Sequence, residues 1–385
     1  MSWLKTRWLQ RWRGPGPSLE TRNLKLETSS VSIDLARELK TLALEAGFDL
    51  AGLAGVADTP EHEFFSGWIA DKRAGEMKYL ESRNADGRLK RASLANAAPW
   101  ARSVLVCALN YNTGEPYSTH AGTAAQGWIS RYAWSQRDYH DVLLEKLRAV
   151  ESRLLALCAE RDVPAPHTWC YVDTGPVVER IFAKYAGIGW IGKNTCLLNQ
   201  QLGSWLFLGV MLTSLELTPD LPAADLCGSC TRCLDACPTN AFPAPYQLDA
   251  TKCISYLTIE LRGSVPEDLR TDIGRQIFGC DICQDVCPWN RSAPVTATAD
   301  LQPRPQLVNP DLEWLASLGT EELRDVFRRS PIKRAKRIGL LRNVAMAMGN
   351  SGDKRFVSVL RRLCEDEDAV VAEHARWALE KVDSG

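Results

Sequence analysis

Hydrophobic positions in the first half of the chain follow helical and strand-like patterns in turn. In chain order they predict a helix from Ser32 to Ala46, strands at 48–54 and 103–109, a helix from Tyr139 to Leu157, and strands near 169–172 and 205–212. The stretch 103–109 is apolar almost throughout, which is typical of a strand buried on both faces. Alternating strands and helices indicate an α/β or α+β domain over residues 32–218.

The C-terminal part of the chain has helical periodicity only. Residues from Pro303 to Pro310 are typical of a linker, and three apolar helix faces follow, at 340–348, 356–363 and 371–379. Short helices in such a series resemble a HEAT-type solenoid unit.

The first residues have a different composition. Trp3, Trp8 and Trp12 are interleaved with basic residues, and glycines and prolines at 14–17 interrupt any helix. A signal peptide needs a continuous apolar centre, which this segment lacks. We therefore predict a poorly ordered extension at residues 1–31 and assign it no function.

Composition places few limits on function. With 385 residues, 45% hydrophobic and 24% charged, the chain can form two or three domains with a sizeable core. No apolar run approaches the length of a membrane span. The net charge of -1 hides local asymmetry and identifies no partner.

Cysteines supply the strongest chemical signal. One run has the spacing Cys-x2-Cys-x2-Cys-x3-Cys-Pro and a second has Cys-x2-Cys-x3-Cys-Pro, and they comprise Cys227, Cys230, Cys233 and Cys237, then Cys280, Cys283 and Cys287, with Cys253 between. In two-cluster ferredoxins the fourth cysteine of such a run ligates the other cluster. By elimination, Cys227, Cys230, Cys233 and Cys287 would hold one 4Fe-4S cluster. The other would be held by Cys237, Cys253, Cys280 and Cys283.

Two other readings of the cysteines are weaker. Zinc sites also use Cys-x2-Cys hooks, but three ligands two residues apart followed by Cys-Pro suit an iron-sulfur cube better. A disulfide framework does not suit a chain of this length without a secretory signal.

Thiolates that must stay reduced indicate the cytoplasm. The remaining cysteines, Cys196 among them, are interpreted as small apolar core residues.

A polar, glycine-rich block lies at residues 173–195. Asp173 follows a predicted strand end, where ligands collect in open sheets, and closely spaced glycines let backbone approach a bulky ligand. A glycine-rich turn with a capping aspartate explains the same pattern equally well. The chain contains neither a Gly-x-Gly-x-x-Gly turn after a strand nor a Gly-Lys-Ser/Thr phosphate loop.

A basic segment precedes the helical tail. Eight cations occur between residues 324 and 342 against one acidic residue, Asp325, and they are Arg324, Arg328, Arg329, Lys333, Arg334, Lys336, Arg337 and Arg342. Such a run is often only a solvated face, but it also suits a phosphate backbone.

Several segments in combination resemble the epoxyqueuosine reductase family. They are residues 173–180, 186–195 and 253–260, the two cysteine runs and the helical tail, and the resemblance extends over about residues 32–382. The cysteine runs alone would indicate only a ferredoxin-like protein.

The resemblance implies a cobalamin-dependent enzyme that uses two 4Fe-4S clusters to reduce epoxyqueuosine at the wobble position of tRNA to queuosine. The implied fold is α+β and multidomain: a nitroreductase-like α/β cobalamin-binding domain at 32–218, a ferredoxin-like domain at 219–302, and a linker with a HEAT-like helical domain at 303–385. Implied partners are tRNA, bound through the 324–342 segment, and an external electron donor, with the chain acting as a monomer.

The resemblance also implies roles for single residues. Asp173 matches the family's proton donor, and a protonated state would suit it when substrate is bound. Arg91 matches a corrin-contacting arginine, and Lys193, Asn194 and Ser255 are further candidates for cobalamin contacts. Tyr132 and residues 138–140 match a family pattern that serves either the cofactor or the core. No cysteine occurs at 131–136, where the family can carry one.

Two alternatives remain at this level. A reductive dehalogenase-like enzyme acting on a small molecule would share the cofactors but would not need the basic segment or the helical tail. An electron-transfer or scaffold protein would leave the large first domain without a purpose.

Overall fold

The computed structural model describes residues 30–120 and 122–384. The predicted extension at 1–31 lies outside the described residues except for its last two, which begin the first helix. The helices are α1 (Ser30–Glu45), α2 (Pro60–Ala70), α3 (Leu94–Ala97), α4 (Tyr139–Glu160), α5 (Glu179–Tyr185), α6 (Arg232–Asp235), α7 (Ile254–Ile259), α8 (Glu267–Arg270), α9 (Ile282–Asp285), α10 (Leu312–Ser317), α11 (Thr320–Val326), α12 (Lys336–Ser351), α13 (Val357–Cys364) and α14 (Ala369–Ser384). The strands are β1 (Leu50–Gly55), β2 (Ser103–Asn110), β3 (Trp128–Ile129), β4 (Thr168–Tyr171), β5 (Trp190–Ile191), β6 (Leu197–Leu198), β7 (Leu206–Thr213) and β8 (Gln276–Phe278).

A four-stranded sheet forms the centre of the first part of the chain. Its order is β1-β2-β7-β4, and every neighbouring pair is antiparallel. All four strands were predicted from the apolar pattern, and every residue of β2 is buried, as expected for the most hydrophobic stretch. Antiparallel pairing throughout means that this sheet is of the α+β kind.

Helices cover both faces of the sheet. On one face, α4 turns Leu143, Leu147, Val150 and Leu154 inward at helical spacing, and these side chains pack with α1 over the sheet. On the other face, Phe182 and Ala183 of α5 pack against strand residues such as Val106 and Val210. Thus α4 and the chain after β4 meet at one end of the sheet, where Asp173 lies.

The cysteine-rich segment has little regular structure. It consists of short helices and loops, and it is tied to the first part of the chain by the parallel pairing of β3 with β8. Little regular structure is expected here because the segment has few apolar residues in any periodic order.

The three apolar faces predicted in the tail fall on α12, α13 and α14, with α14 packing on both α12 and α13, and the short helices α10 and α11 precede them. Helices α12 and α14 approach each other closely at Gly349, where an added Cβ would lie 2.8 Å from Cβ of Ala378. One hydrophobic core joins this tail to residues of the two preceding segments, including Trp128, Trp134 and Phe278. The predicted domain boundaries and the HEAT-like character stay predictions, since this core crosses the boundaries.

No helix in the described ranges is both long and apolar enough to cross a membrane.

Candidate functional site

Four cysteines from both runs meet around one small cavity. Cys227, Cys230, Cys233 and Cys287 line it together with Lys193 and Asn194, and its volume is about 40 Å³. Burial, followed by the nearby Cys287, Cys227 and Cys230, raises the pKa of Cys233 to about 11. Burial also raises the pKa of Cys287 to about 11. We refer to these four residues as the first quartet.

The other four predicted ligands form a second quartet: Cys237, Cys253, Cys280 and Cys283. Burial, followed by the charge of Cys253, raises the pKa of Cys280 well above its usual range, and Cys237 adds to the effect. Thiols with raised pKa values stay protonated at neutral pH until a metal displaces the proton. The structure therefore brings together the same two sets of thiols that elimination paired in the sequence, while their ligation of iron stays a prediction.

Backbone N–H groups are directed at several of these sulfurs. The N–H of Ala241 donates to Sγ of Cys237 at 3.4 Å. The N–H groups of Ser255 and Tyr256 donate to Cys253, and that of Ile282 donates to Cys280. Hydrogen bonds of this kind stabilise thiolates and tune iron-sulfur clusters.

The quartets are not arranged as a site for a single ion. Among residues 30–120 and 122–384, no three His, Cys, Asp or Glu side chains converge closely enough to hold one metal ion. Four thiols around a shared cavity fit a cube, whose irons lie at its corners, better than one tetrahedral zinc.

Cys196 was interpreted from the sequence as a small apolar core residue, and the structure corrects this. Its thiol hydrogen-bonds Cys283, and this contact holds the pKa of Cys196 below its usual value. Cys287 lies near it as well. Cys196 is therefore a ninth thiol beside both quartets.

Asp173 lies two residues beyond the end of β4 in an unusual backbone conformation. Its φ is 57°, in the left-handed region that residues with a side chain rarely adopt. The Tyr139 hydroxyl donates to Oδ2 of Asp173 at 3.1 Å. The side chain is 51% exposed. The turn thus holds a half-exposed carboxylate against the start of α4.

His140 connects Asp173 to a second carboxylate. Asp138 caps the N-terminus of α4, so its neighbours Tyr139 and His140 occupy the first turn. Nδ1 of His140 lies 2.7 Å from Oδ1 of Asp138, and Nε2 lies 3.6 Å from Oδ2 of Asp173. Although burial opposes it, the hydrogen bond to Asp138 and the close contact with Asp173 raise the pKa of His140 to about 9. The contact with His140 is the main cause that lowers the pKa of Asp173.

Two arginines and a tyrosine lie beside this turn. Arg91 donates from Nη2 to the carbonyl of Gly175 at 2.8 Å and from Nη1 to the carbonyl of Tyr79 at 2.7 Å. The guanidinium groups of Arg91 and Arg334 lie 5.8 and 5.3 Å from the centroid of the Tyr79 ring. Arg91 therefore braces the loop that carries Asp173, and Arg334 brings the basic segment to the same place.

Two buried polar atoms near Asp173 have no hydrogen-bond partner within the described residues: the Tyr171 hydroxyl and Oε1 of Glu179. Burial, followed by the charge of Asp173, raises the pKa of Glu179 to about 7. Burial also raises the pKa of Tyr171 well above its usual range. Orphaned groups of this kind can accept or donate hydrogen bonds to a bound ligand.

Three of the residues predicted to contact cobalamin have hydrogen-bond partners in the cysteine-rich segment. Nζ of Lys193 donates to the carbonyls of Gly228 at 2.7 Å and Cys230 at 2.9 Å. Nδ2 of Asn194 donates to the carbonyl of Cys283 at 3.3 Å. Ser255 hydrogen-bonds Cys253 through its hydroxyl as well as its N–H. The sequence carried no signal for these partners, because they depend on contacts between distant segments.

The cations of the basic segment differ in how far they are exposed. Arg342 is fully buried and donates to the carbonyls of Leu257, Leu261 and Gly263. Arg334 pairs with Glu260 at 2.7 Å, and Arg337 pairs with Asp366 at 2.6 Å. The exposed cations are Arg324, Arg328, Arg329, Lys333 and Lys336. Nζ of Lys333 lies 3.5 Å from Oδ2 of Asp138, so the segment reaches the His140 pair.

Two family models match the chain. Residues 226–290 match a 4Fe-4S double cluster binding domain, and residues 91–174 match the model described as epoxyqueuosine reductase QueG. The first match covers both quartets, and the second ends just after Asp173.

Curated relatives match over most of the chain. The epoxyqueuosine reductase of Xanthomonas campestris pv. campestris is 39% identical over 354 residues, which is 90% of this chain and 96% of the relative. That of Escherichia coli K12 is 34% identical over 346 residues, covering 90% and 89%. A crystal structure of epoxyqueuosine reductase with a tRNA-Tyr epoxyqueuosine-modified stem loop is 32% identical, has a TM-score of 0.80, and is matched over 91% of this chain and 90% of its own.

Proposed function

The chain belongs to the epoxyqueuosine reductase family. We propose that Asp173 donates a proton to the epoxide oxygen of epoxyqueuosine as the enzyme removes that oxygen. The enzyme reduces epoxyqueuosine in tRNA, and the wobble nucleotide is the proposed position. An epoxide that becomes an alkene and water takes up two electrons and two protons. The side chains near Asp173 must therefore deliver protons to a departing oxygen.

The contact between His140 and Asp173 carries this proposal. With the pKa of His140 raised to about 9 and that of Asp173 lowered, the shared proton rests on the imidazole at neutral pH. As negative charge grows on the epoxide oxygen, a proton moves from Nε2 of His140 to the carboxylate of Asp173, and Asp173 passes a proton on to the oxygen. The ring of His140 is 28% exposed, so solvent can return the proton for a second transfer.

We propose reduced cobalamin as the group that meets the epoxide beside Asp173. When bound, it supplies electrons at the reacting carbon. The residues present fit such a ligand, because the orphaned Tyr171 hydroxyl and Glu179 Oε1 can pair with the amide side chains of a corrin. Arg91 holds the turn of Asp173 in place. Direct corrin contacts of Arg91, Asn194 and Ser255 stay predictions.

We propose that each quartet ligates one 4Fe-4S cluster and that an external donor delivers the electrons. A cluster passes one electron at a time, so a two-electron reaction gains from two clusters. Ligation by reduced thiolates supports a cytoplasmic setting, and nothing in the reaction requires more than a monomer.

We propose that tRNA binds across the exposed cations of the 324–342 segment. The closeness of Lys333 to Asp138 supports this, because a phosphate held there would place an adjacent nucleotide near Asp173. No observation favours a small-molecule dehalogenase, whose substrate would not need this surface.

Anaerobic incubation with cobalamin, a strong reductant and tRNA carrying epoxyqueuosine, followed by mass spectrometry of the digested nucleosides, tests the proposed function. We expect loss of one oxygen that depends on added cobalamin. Loss of the oxygen at the same rate without cobalamin would contradict the cofactor assignment, and an unchanged nucleoside with clusters and corrin present would contradict the reaction.

A further inference from the structure

We propose that Lys193 raises the reduction potential of the first-quartet cluster and fastens its loop, and that it does not bind cobalamin. This inference rests on the proposed ligation of one cluster by Cys227, Cys230, Cys233 and Cys287. The sequence alone suggested a corrin contact for Lys193, but the structure gives its ammonium group two other partners.

Both partners belong to the first cysteine loop. Nζ of Lys193 donates to the carbonyls of Gly228 and Cys230 at 2.7 and 2.9 Å. Gly228 has φ 53°, so the loop turns sharply between the first two ligands. Lys193 also lines the cavity that the four thiols share. The ammonium group therefore crosslinks the loop from beside the cluster position.

The neighbouring residue extends this crosslink to the second run. Nδ2 of Asn194 donates to the carbonyl of Cys283 at 3.3 Å, and the carbonyl of Lys193 accepts from the N–H of Tyr246 at 3.0 Å. The first quartet needs Cys287 from that second run. The turn at Lys193 and Asn194 thus fixes the spacing between the two segments that must converge on one cluster.

Charge gives Lys193 an effect beyond geometry. Its two hydrogen-bond partners are neutral carbonyls, so the positive charge of the ammonium group acts on the four thiolates. A cluster gains one negative charge on reduction, and a nearby cation stabilises the reduced form more than the oxidised form. Lys193 therefore favours electron uptake at the first quartet, and the second quartet, with Asn194 as its neighbour in this turn, is affected less.

Redox titration of the reconstituted holoprotein, followed by electron paramagnetic resonance, tests this inference in Lys193→Gln and Lys193→Arg. The glutamine keeps an N–H donor without the charge, and the arginine keeps the charge. Lys146→Gln is the matched control, because Nζ of Lys146 also donates to a backbone carbonyl, that of Ala46, which belongs to neither cysteine run. Cobalamin affinity is measured in parallel by absorbance titration.

In Lys193→Gln we expect the reduced-to-oxidised ratio of one cluster, measured at a fixed potential, to fall at least tenfold. For a one-electron couple this corresponds to a decrease in reduction potential of about 59 mV. The other cluster, Lys193→Arg, the control and cobalamin affinity should be unchanged. Unchanged potentials in Lys193→Gln, weaker cobalamin binding, or iron loss in both Lys193 variants would each overturn the inference. If Lys193→Gln alone loses iron, normal clusters in Lys193→Arg support it. A wild-type protein without two clusters would instead refute the proposed ligands.

Discussion

Nε2 of His140 lies 3.6 Å from Oδ2 of Asp173, although the two residues are 33 positions apart in the chain. The first turn of α4 holds the imidazole, and the left-handed turn after β4 holds the carboxylate. The pair carries one proton at neutral pH, on the imidazole, because two carboxylates stabilise its cationic form. A donor to a departing oxygen and its own proton source are therefore adjacent.

Asp173→Asn should abolish turnover while leaving both clusters and cobalamin binding intact. The substitution removes the carboxylate that relays the proton from His140 and changes little volume, so its effect should be confined to the chemical step. Nucleoside mass spectrometry measures turnover, and absorbance spectra with iron analysis measure the cofactors. Full activity in this variant would remove Asp173 from the mechanism.

His140 should stabilise the fold in a pH-dependent way. Its pKa is raised from 6.5 to about 9, so its contribution is fully present below pH 6.5 and is lost as the pH rises through 9. Since Asp173 is half exposed, we expect on the order of 2 kcal/mol. Urea denaturation of the wild type and His140→Gln measures this difference at pH 6 and at pH 9.5. A gap between the two proteins that is equal at both values would show that His140 is not charged by its neighbours. His120→Gln, on an exposed turn, is the control.

Substitution of the quartet cysteines should remove clusters one at a time. Cys287→Ala should lose the cluster of the first quartet, although Cys287 belongs to the second run, and Cys237→Ala should lose the other. Cys196→Ala is the matched control, because Cys196 contacts Cys283 but lies outside both quartets. Iron content and paramagnetic resonance after reduction distinguish the three variants. Equal iron loss in Cys196→Ala would mean that the ligand sets are wrong.

The four strands of the central sheet and helices α1 and α4 could be predicted because their signals are local. Strand β2 is buried on both faces and is apolar almost throughout, and α4 buries a stripe at helical spacing. The pairing of Cys287 with the first run could also be predicted, because counting the ligands that two clusters need requires no three-dimensional information. The antiparallel pairing of the sheet could not be predicted, since strand order depends on contacts between distant segments.

The hydrogen-bond and ion-pair partners of side chains in the site were the hardest features to predict from the sequence. Lys193 and Asn194 lie in a glycine-rich block that suggested a large ligand, yet their polar atoms reach loops 35 and 89 residues away. His140 was visible only as part of a pattern, and nothing local relates it to Asp173. The sequence analysis also counted Arg342 among the cations suited to a phosphate backbone. Its burial among carbonyls cannot be recognised from charge alone.

The basic segment should contribute to tRNA binding only through its exposed cations. Replacing Arg329, Lys333 and Lys336 with glutamine should weaken binding and reduce the salt slope by about 2, because each phosphate contact contributes roughly 0.7 to 0.9. Exposed arginines of α1 and α4, at Arg37, Arg148 and Arg153, supply a control of equal charge. Affinity measured by fluorescence anisotropy over a range of salt concentrations gives both slopes. The same slope in the triple variant and the control would place the RNA on another surface.

Arg342→Met should behave differently from the exposed cations. It leaves the carbonyls of Leu257, Leu261 and Gly263, one buried and two partly buried, without their donor, which costs on the order of 3 kcal/mol of stability without changing the salt slope of the folded protein.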